Sequence, residues 1–297
     1  MTPHFRRSHP INSPEAFDPA AFKTATRVQW DTCAAGWNGK TPQIRAWLRA
    51  STEAMLEMAE VGPGGRVLDV AAGSGDQTLD IAGRVGPTGS VLATDLSPAI
   101  LAFAQDNARR HSFQNVETRT ADGENLGVQE ASFDAVICRL GLMFFPDPGR
   151  GLMEMHRALK QGGRVCTMVF SSPDRNPCVA ILLSTALKHA GLPPRDPYQP
   201  GGLLSLGKPG LIDTLFETAR FSRIATTKVA APFRLPSVGD YLDFVRTSAS
   251  PIVQILSRLD KVRQQAAWAE IEDKLSAFNT SEGWEGPNEL LLTAGQC

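Results

Sequence analysis

The chain has few cysteines, and their spacing excludes two common roles. Their number is odd, and no Cys-x-x-Cys pair occurs among Cys33, Cys138, Cys166, Cys178 and Cys297. This spacing fits neither a zinc site nor a disulfide framework. A chain of 297 residues, 42% of them hydrophobic, can fold without either device. We therefore predict a protein of a reducing compartment that holds no metal.

A basic excess and a long apolar segment are also missing. The net charge is −1 and the pI is about 6.5, whereas nucleic-acid-binding domains usually show a basic patch and a high pI. No apolar run reaches the roughly 18 residues that a membrane span needs. The pair Arg6-Arg7 is not followed by the apolar stretch of a secretion signal. We predict a cytoplasmic protein, monomeric or homodimeric, whose partner is a small molecule rather than a nucleic acid or a membrane.

From residue 66 onward, strand-like and helix-like segments alternate. The pattern predicts strands at 66–70, 90–94, 116–120, 133–140 and 164–170, with helices at 76–85, 98–111 and 147–160. Nearer the C-terminus it predicts a strand-like stretch at 222–235 and a short final strand at 288–295. Alternation of this kind is typical of a parallel sheet with helices on both faces, and the strands are continuous apolar runs, as doubly covered strands are. We predict an α/β fold with a Rossmann-like, doubly wound, mostly parallel sheet whose final strand is antiparallel.

Helical segments flank this core on both sides. We predict a flexible tail at residues 1–20 and one domain at 21–297. Within that domain, residues 21–60 form an N-terminal helical segment, and helical insertions occupy 171–205 and 237–280. No internal repeat or second core is visible.

An acid follows each of the first three predicted strands, namely Asp69, Asp95 and Asp122. Ligands of open parallel sheets bind outside the carboxyl ends of the strands. An acid after the second strand can accept hydrogen bonds from both hydroxyls of a ribose, and one after the third can accept from an exocyclic amine. Each acid alone would be an ordinary solvated turn residue, but the ordered set predicts a nucleoside-like ligand.

The turn after the first strand reads Ala-Ala-Gly-Ser-Gly-Asp and permits two kinds of ligand. A dinucleotide would need the G-x-G-x-x-G fingerprint, and Thr78 stands where its third glycine belongs. Asp69 and Asp76 would repel a diphosphate at the helix N-terminus. The acids suit a nucleoside with a cationic arm, S-adenosylmethionine. An NAD-dependent oxidoreductase is the alternative.

Four stretches carry a family resemblance: VLDVAAGSGD (67–76), ATDLSPAIL (93–101), ADGENLGVQEASFDAVICRLGLMFFPD (121–147) and HRALKQGGRV (156–165). Together they resemble the class I S-adenosylmethionine-dependent methyltransferases, especially the UbiE/COQ5-like, methyltransferase type 11 group. The chain departs from the usual pattern at Ala71, where a glycine is common, and at Gln161, where proline is usual. The resemblance spans about residues 60–170. It implies S-adenosylmethionine as cofactor and S-adenosylhomocysteine as product.

The resemblance also implies a set of cofactor-binding residues at the strand ends and in the helical segment before them: Asp69, Ala71, Gly73, Ser74, Gly75, Gln77, Asp95, Leu96, Asp122, Gly123, Cys138, Arg139 and Trp37. The residues from Asp69 to Gln77 would line the methionine end of the cofactor. Asp95 would hold the ribose, and Leu96 would pack on the adenine. Asp122 and Gly123 would meet the adenine edge, and Cys138 and Arg139 would face the sulfonium. Residues 21–60 would form a lid, in which Trp37 could attract the sulfonium by a cation–π contact.

The acceptor and its chemistry are less specified. In-line displacement from a sulfonium needs a base only if the acceptor must lose a proton, and His189 and Tyr198 are the candidates for that role. Trp30, Leu142 and Met143 are expected to contact the acceptor, and an apolar lid favours a hydrophobic or aromatic molecule. The long insertion after residue 170 argues against a quinone. A protein that binds S-adenosylmethionine without methyl transfer is a further alternative.

Overall fold

Helices and strands alternate along the chain in a computed structural model that describes residues 17–248 and 251–297. The helices are α1 (Pro19–Gly39), α2 (Thr41–Met58), α3 (Asp76–Val85), α4 (Pro98–Arg110), α5 (Pro148–Ala158), α6 (Pro177–His189), α7 (Leu211–Thr218), α8 (Val238–Thr247), α9 (Pro251–Leu256) and α10 (Lys261–Leu275). The strands are β1 (Arg66–Val70), β2 (Ser90–Asp95), β3 (Val116–Thr120), β4 (Phe133–Arg139), β5 (Leu159–Phe170), β6 (Ser222–Ala230), β7 (Phe233–Leu235), β8 (Asn279–Thr280), β9 (Gly283–Gly286) and β10 (Glu289–Gln296).

The main sheet has seven strands in the order β3-β2-β1-β4-β5-β10-β6. Strands β1 to β5 pair in parallel. Strand β10 lies between β5 and β6 and is antiparallel to both. The prediction of a Rossmann-like, mostly parallel sheet with an antiparallel final strand is confirmed. The sheet ends in β10 and β6, with β10 antiparallel to both of its neighbours. The dinucleotide-binding fold instead has the all-parallel strand order 3-2-1-4-5-6.

A second, three-stranded sheet in the order β7-β9-β8 was not predicted. The sequence pattern favoured one strand over 222–235, but the structure divides it after Ala230. Pro232 lies at the break, and proline has no N–H to continue a ladder. Phe233 then pairs with Gly286 in the small sheet. The expected helical insertion at 237–280 contains α8, α9 and α10 but ends in the short strand β8.

The N-terminal helical segment, called the lid below, begins at residue 19 and not at residue 21 as the sequence pattern indicated. Helix α1 starts at Pro19, and the Asp18 carboxylate accepts hydrogen bonds from the N–H groups of Ala20 and Ala21. Aspartate followed by proline is a strong helix start, because it caps free N–H groups and presets the first φ angle. The predicted tail at 1–20 therefore overlaps the helix at its end, and residues 1–16 lie outside the described residues. Among the described helices, none combines the length and apolar character needed to cross a membrane.

Helix α3 is held close to α4 by the glycine turn that precedes it. Gly75 has a φ of +83°, and a Cβ built on it would lie 2.9 Å from the Cβ of Ala104 in α4. Only glycine adopts this conformation at no steric cost, and only glycine leaves room for α4. Gly75 thus sets the distance between two helices that flank β1 and β2, and with it the width of the turn above them.

Replacing Gly75 by alanine should destabilise the protein more than the same change at Gly210, which also precedes a helix in a left-handed conformation. Gly210 has a φ of +76° and open space around it, so alanine there should cost only about 1–2 kcal/mol of backbone strain. Alanine at Gly75 should cost about 1–3 kcal/mol more, because it also clashes with Ala104. Urea denaturation of both variants, followed by circular dichroism, measures the two losses. Equal losses would show that the contact with α4 is not tight.

Candidate functional site

A single cleft opens at the carboxyl ends of β1, β2 and β4, beneath the lid helix α1. It encloses about 1630 Å³, part of which is open to solvent. Its walls come from the strand ends, from α1 and α2, and from α6, α8 and the segment before β10. The cleft has two ends of different character, described in turn below.

Asp95 forms part of the first end, which is polar. Its Oδ2 accepts from the N–H of Gly73 at 3.0 Å, and its Oδ1 accepts from the N–H of Ser97 at 2.9 Å. The carboxylate thus ties the glycine turn to the end of β2. Burial raises the pKa of Asp95 to about 6, although the backbone hydrogen bonds oppose the rise. Asp95 and Leu96 both line the cleft, where an acid can accept from ribose hydroxyls.

Asp69 lies behind the cleft wall instead of on it. It is fully buried, and its two oxygens accept from Thr78 Oγ1 at 2.6 Å and from Gln77 Nε2 at 3.1 Å. Burial raises the pKa of Asp69 to about 7, and the bonds from Thr78 and Gln77 oppose this rise. The sequence predicted that Asp69 would line the methionine end of a cofactor, but the structure places it behind the wall of the cleft. Asp69 joins β1 to α3, while Gln77 lines the cleft.

The glycine turn presents small residues to the cleft. Ala71 has a φ of +56°, an uncommon conformation for a residue other than glycine. Ala71, Gly73 and Ser74 line the cleft, but Gly75 does not, since it packs against α4. The Ser74 hydroxyl is sealed beneath this wall and has no hydrogen-bond partner among the described residues, which is unusual for a buried polar group.

Trp37 of the lid approaches the same turn. A Cβ built on Gly73 would lie 3.6 Å from the Trp37 indole nitrogen. The indole N–H is a donor, and Trp37 lines the cleft beside the turn. Such a donor suits the carboxylate of an amino-acid ligand. The residues therefore fit a cofactor that carries an amino-acid arm.

Asp122 and Gly123 follow β3 and also line the cleft. The Asp122 Oδ2 lies 2.6 Å from Lys23 Nζ of the lid, which also lies 2.6 Å from Glu124 Oε2. Gly123 lies directly under a ring, since a Cβ on it would come 2.1 Å from Phe145. The lid lysine thus neutralises the acids that were expected to meet the adenine edge.

Arg139, which was expected to face the sulfonium, is already paired with residues of the protein. Its guanidinium donates to Asp76 Oδ2 at 2.6 Å and to Thr52 Oγ1 at 2.9 Å, and the side chain is buried. Arg45 pairs with the other oxygen of Asp76 at 2.9 Å. Arg139 lines the cleft but already has partners for its charge. Because two guanidinium groups neutralise Asp76, this residue no longer argues against a diphosphate.

Two of the expected contacts lie in the core. Cys138 is fully buried at the end of β4, and burial raises the pKa of its thiol to about 12. Leu142 is also fully buried, and neither residue lines the cleft. Both alternate with residues that do reach it, because Arg139 and Met143 line the wall together with Trp30 of the lid. Cys138 was therefore wrongly expected to contact the cofactor, and Leu142 the acceptor.

The second end of the cleft is an apolar space that we call the chamber. Its aromatic and polar wall includes Trp47, Phe170, Phe233, Tyr241, Phe244 and Asn288. The Trp47 ring stacks on Phe233 with centroids 4.8 Å apart, and Phe233 meets Phe244 edge-to-face at 4.9 Å. Trp37 lies 6.3 Å from Phe244 and so connects the chamber to the glycine turn.

The candidate bases do not belong to this cleft. His189 Nε2 lies 2.8 Å from Glu270 Oε2 at the end of α6, and Tyr198 lies in the loop that follows. Neither residue lines the cleft. Sequence reasoning missed Phe233, Tyr241 and Asn288. The only available signal was the aromatic spacing in residues 233–245, which equally fits ordinary core.

Comparisons with known proteins bear on the polar end. Residues 43–183 match the model of the ubiE/COQ5 methyltransferase family. This match covers just under half of the chain, and it shows that this segment is similar to the UbiE/COQ5 methyltransferases. The chain is 37% identical over 142 residues to the ubiquinone/menaquinone biosynthesis C-methyltransferase UbiE of Ectopseudomonas mendocina, covering 48% of this chain and 54% of that one. It is 34% identical over 137 residues to the UbiE of Hahella chejuensis, covering 46% and 53%. It thus spans about half the length of these relatives.

Solved structures share the fold of most of the chain at low sequence identity. YcgJ of Bacillus subtilis has a TM-score of 0.57 at 19% identity, covering 84% of this chain and 98% of its own. A putative methyltransferase of Bacillus halodurans has the same TM-score and identity, covering 83% and 98%. The [4+2]-cyclase SpnF has a TM-score of 0.53 at 18% identity, covering 83% and 80%. These likenesses establish the fold alone.

Removing Arg139 should destabilise the domain far more than removing Arg45, although both pair with Asp76. Arg139→Met leaves a buried carboxylate without its buried partner, which typically costs roughly 3–5 kcal/mol. Arg45 is 42% exposed, and Arg45→Met should cost only about 1 kcal/mol. Urea denaturation compares the two variants. A loss at Arg139 no larger than that at Arg45 would show that the buried pair is not structural.

Proposed function

We propose that the protein is an S-adenosylmethionine-dependent methyltransferase acting on a small hydrophobic or aromatic molecule. The observation that carries the proposal is that Asp95, the small residues of the glycine turn and the Trp37 indole line one cleft. Apart from Trp37, these residues lie within the segment that matches the methyltransferase family. An acceptor for ribose hydroxyls and a donor for a carboxylate therefore belong to the same cleft.

The residues divide the cofactor between them. Asp95 would hold the ribose, Leu96 would pack against the adenine, and Trp37 would donate to the carboxylate of the methionine arm. Trp30 meets Trp37 edge-to-face at 5.2 Å, so aromatic faces are available to a sulfonium through cation–π attraction. When bound, the cofactor supplies an activated methyl group.

The chain's own contribution is placement and the exclusion of water. Among the described residues of the chamber wall, none is an aspartate, glutamate, histidine, lysine or arginine. At the boundary of the two ends, both oxygens of Asp76 are occupied by guanidinium groups. No carboxylate or imidazole of this wall is free to remove a proton. Catalysis would therefore depend on proximity and orientation.

The acceptor is a separate question from the cofactor. The relatives from Ectopseudomonas and Hahella are named for methylating carbon in ubiquinone and menaquinone biosynthesis. The family match ends at residue 183, whereas Phe233, Tyr241, Phe244 and Asn288 of the chamber lie beyond it. What those enzymes methylate therefore does not transfer to this chain. The aromatic wall supports a hydrophobic or aromatic acceptor.

The alternatives are disfavoured by specific features. An NAD-dependent oxidoreductase would need the third glycine of the fingerprint, and Thr78 instead donates to Asp69. Binding without methyl transfer has one point in its favour, since the cyclase SpnF shares the fold. The cytoplasmic location and the homodimer stay predictions.

The cofactor is tested first by titration calorimetry with S-adenosylhomocysteine. We expect micromolar binding to the unmodified protein and none of NAD. Asp95→Ala should weaken binding roughly ten- to a hundredfold, because hydrogen bonds to a buried charge are lost. Asp134→Ala removes an exposed carboxylate paired with Lys160 and should leave binding unchanged. Binding of NAD in place of S-adenosylhomocysteine would contradict the proposal.

Binding of S-adenosylhomocysteine should weaken as the pH falls from 7 to 5. Burial raises the pKa of Asp95 to about 6, and ribose hydroxyls that donate to the carboxylate favour its charged form and lower that pKa. Below about pH 6, binding must therefore release a proton, which costs up to about tenfold in affinity per pH unit. Calorimetry in buffers of different ionisation enthalpy measures the proton directly.

A variant of the lid provides the control for this pH dependence. The charge of Asp31 contributes to the raised pKa of Asp95, and asparagine keeps an oxygen that can accept from Ser97 Oγ. Asp31→Asn should therefore shift the weakening to lower pH. Affinity that does not change between pH 5 and 7 would argue that Asp95 is not in contact with the ligand.

A further inference from the structure

We propose that the chamber selects an uncharged, flat aromatic acceptor, and that Tyr241 and Asn288 are the hydrogen-bonding groups that recognise it. This inference rests on the proposed function, because the chamber adjoins the cofactor end of the same cleft. It adds the residues that determine specificity, and both lie outside the segment that matches the methyltransferase family.

Tyr241 offers a donor that nothing in the protein uses. The residue is only 6% exposed and lines the cleft, and its ring stacks on Trp284 with centroids 4.4 Å apart. Its hydroxyl makes no hydrogen bond with the described residues, yet it is not among the polar atoms sealed inside the protein. The hydroxyl therefore opens on the cleft. Burial raises its pKa, so it stays a neutral phenol that donates.

Asn288 offers the complementary acceptor. Its Nδ2 donates to the carbonyl of Gly286 at 3.2 Å, which fixes the orientation of the amide. The Oδ1 has no partner among the described residues and, like the Tyr241 hydroxyl, is not sealed inside the protein. Asn288 is 8% exposed and lines the cleft. A donor and an acceptor therefore stand in an otherwise apolar wall.

The two groups flank one short segment. The backbone carbonyl of Asn288 accepts from the N–H of Ala231 at 2.8 Å, and the Tyr241 ring meets Phe233 edge-to-face at 5.8 Å. Trp47 lies against the same segment, since its indole N–H donates to the Ala231 carbonyl at 2.7 Å. An aromatic surface thus adjoins both hydrogen-bonding groups. A flat molecule with a hydroxyl satisfies this combination, because the hydroxyl both accepts and donates.

Charge on the acceptor is disfavoured by the same wall. The charged residues that line the cleft belong to its polar end or to the boundary, and the aspartates and glutamate there are paired with Lys23, Arg45 and Arg139 or held by backbone N–H groups. An anion entering the chamber would lose its hydration without gaining a positively charged partner, which is costly. Acceptor binding should therefore favour neutral molecules.

Three bicyclic probes test the proposal by calorimetry on protein saturated with S-adenosylhomocysteine. 2-Naphthol can use both groups, 2-methoxynaphthalene can only accept, and 2-naphthoate is an anion. We expect 2-naphthol to bind at least about tenfold more tightly than 2-naphthoate. Tyr241→Phe should weaken 2-naphthol and 2-methoxynaphthalene each by about threefold to tenfold. Asn288→Ala should weaken 2-naphthol by a similar factor and leave 2-methoxynaphthalene unchanged.

The chain provides a matched control in its other tyrosine. Tyr198 lies outside the cleft, so Tyr198→Phe should change no probe affinity. Tyr241→Phe should leave the melting temperature and the affinity for S-adenosylhomocysteine unchanged. A general structural defect would lower both. Failure of 2-naphthol to bind, or equal binding by the Tyr241→Phe variant, would overturn this inference alone. Failure of S-adenosylhomocysteine to bind would overturn the proposed function and this inference with it.

Discussion

The cleft depends on two buried carboxylates that hold the glycine turn in place. Asp69 ties the end of β1 to the first turn of α3 through Gln77 and Thr78. Asp95 ties the same turn to the end of β2 through the N–H of Gly73. With its neighbours fixed on both sides, the turn can keep Ala71 in a left-handed conformation. Strain of this kind persists only where the surrounding structure determines it.

Burying two acids so close together is costly, and the costs are visible in their pKa values. Burial raises the pKa of Asp69 to about 7 and that of Asp95 to about 6. The charge of Asp95 adds to the rise at Asp69, and the charge of Asp31 adds to the rise at Asp95. Arg139 opposes this for Asp69 by its positive charge. A ligand that donates hydrogen bonds or carries a cation would relieve the remaining cost. The arrangement is therefore better suited to a liganded state than to an empty one.

The sequence predicted the parts of the site that depend on neighbouring residues. The acids at the strand ends, the small residues of the turn and the parallel sheet all follow from local pattern. The partners of Arg139 could not be predicted, because Thr52 and Asp76 meet it only after α2 packs against the sheet. The strand at 222–235 was predicted as one because alternation outweighed the proline that divides it.

The chamber could not be predicted from the sequence, for a related reason. Its walls come from α2, β5, β7, α8 and the segment before β10, so no stretch of sequence contains its pattern. Aromatic residues at these positions look like ordinary core until the fold leaves space between them. The two ends of the cleft are therefore built from different segments of the chain. Substitutions in the chamber can change the acceptor while the turn and its two carboxylates stay intact.

Helix α1 connects the two ends of the cleft. It is held at one side by Lys23 on Asp122 and Glu124, and at the other by Asn38, whose side chain accepts from Asn107. Trp37 of this helix approaches both the glycine turn and Phe244. On the proposed function, a cofactor at the polar end and an acceptor in the chamber would both contact this indole, so one side chain would contribute to the placement of both.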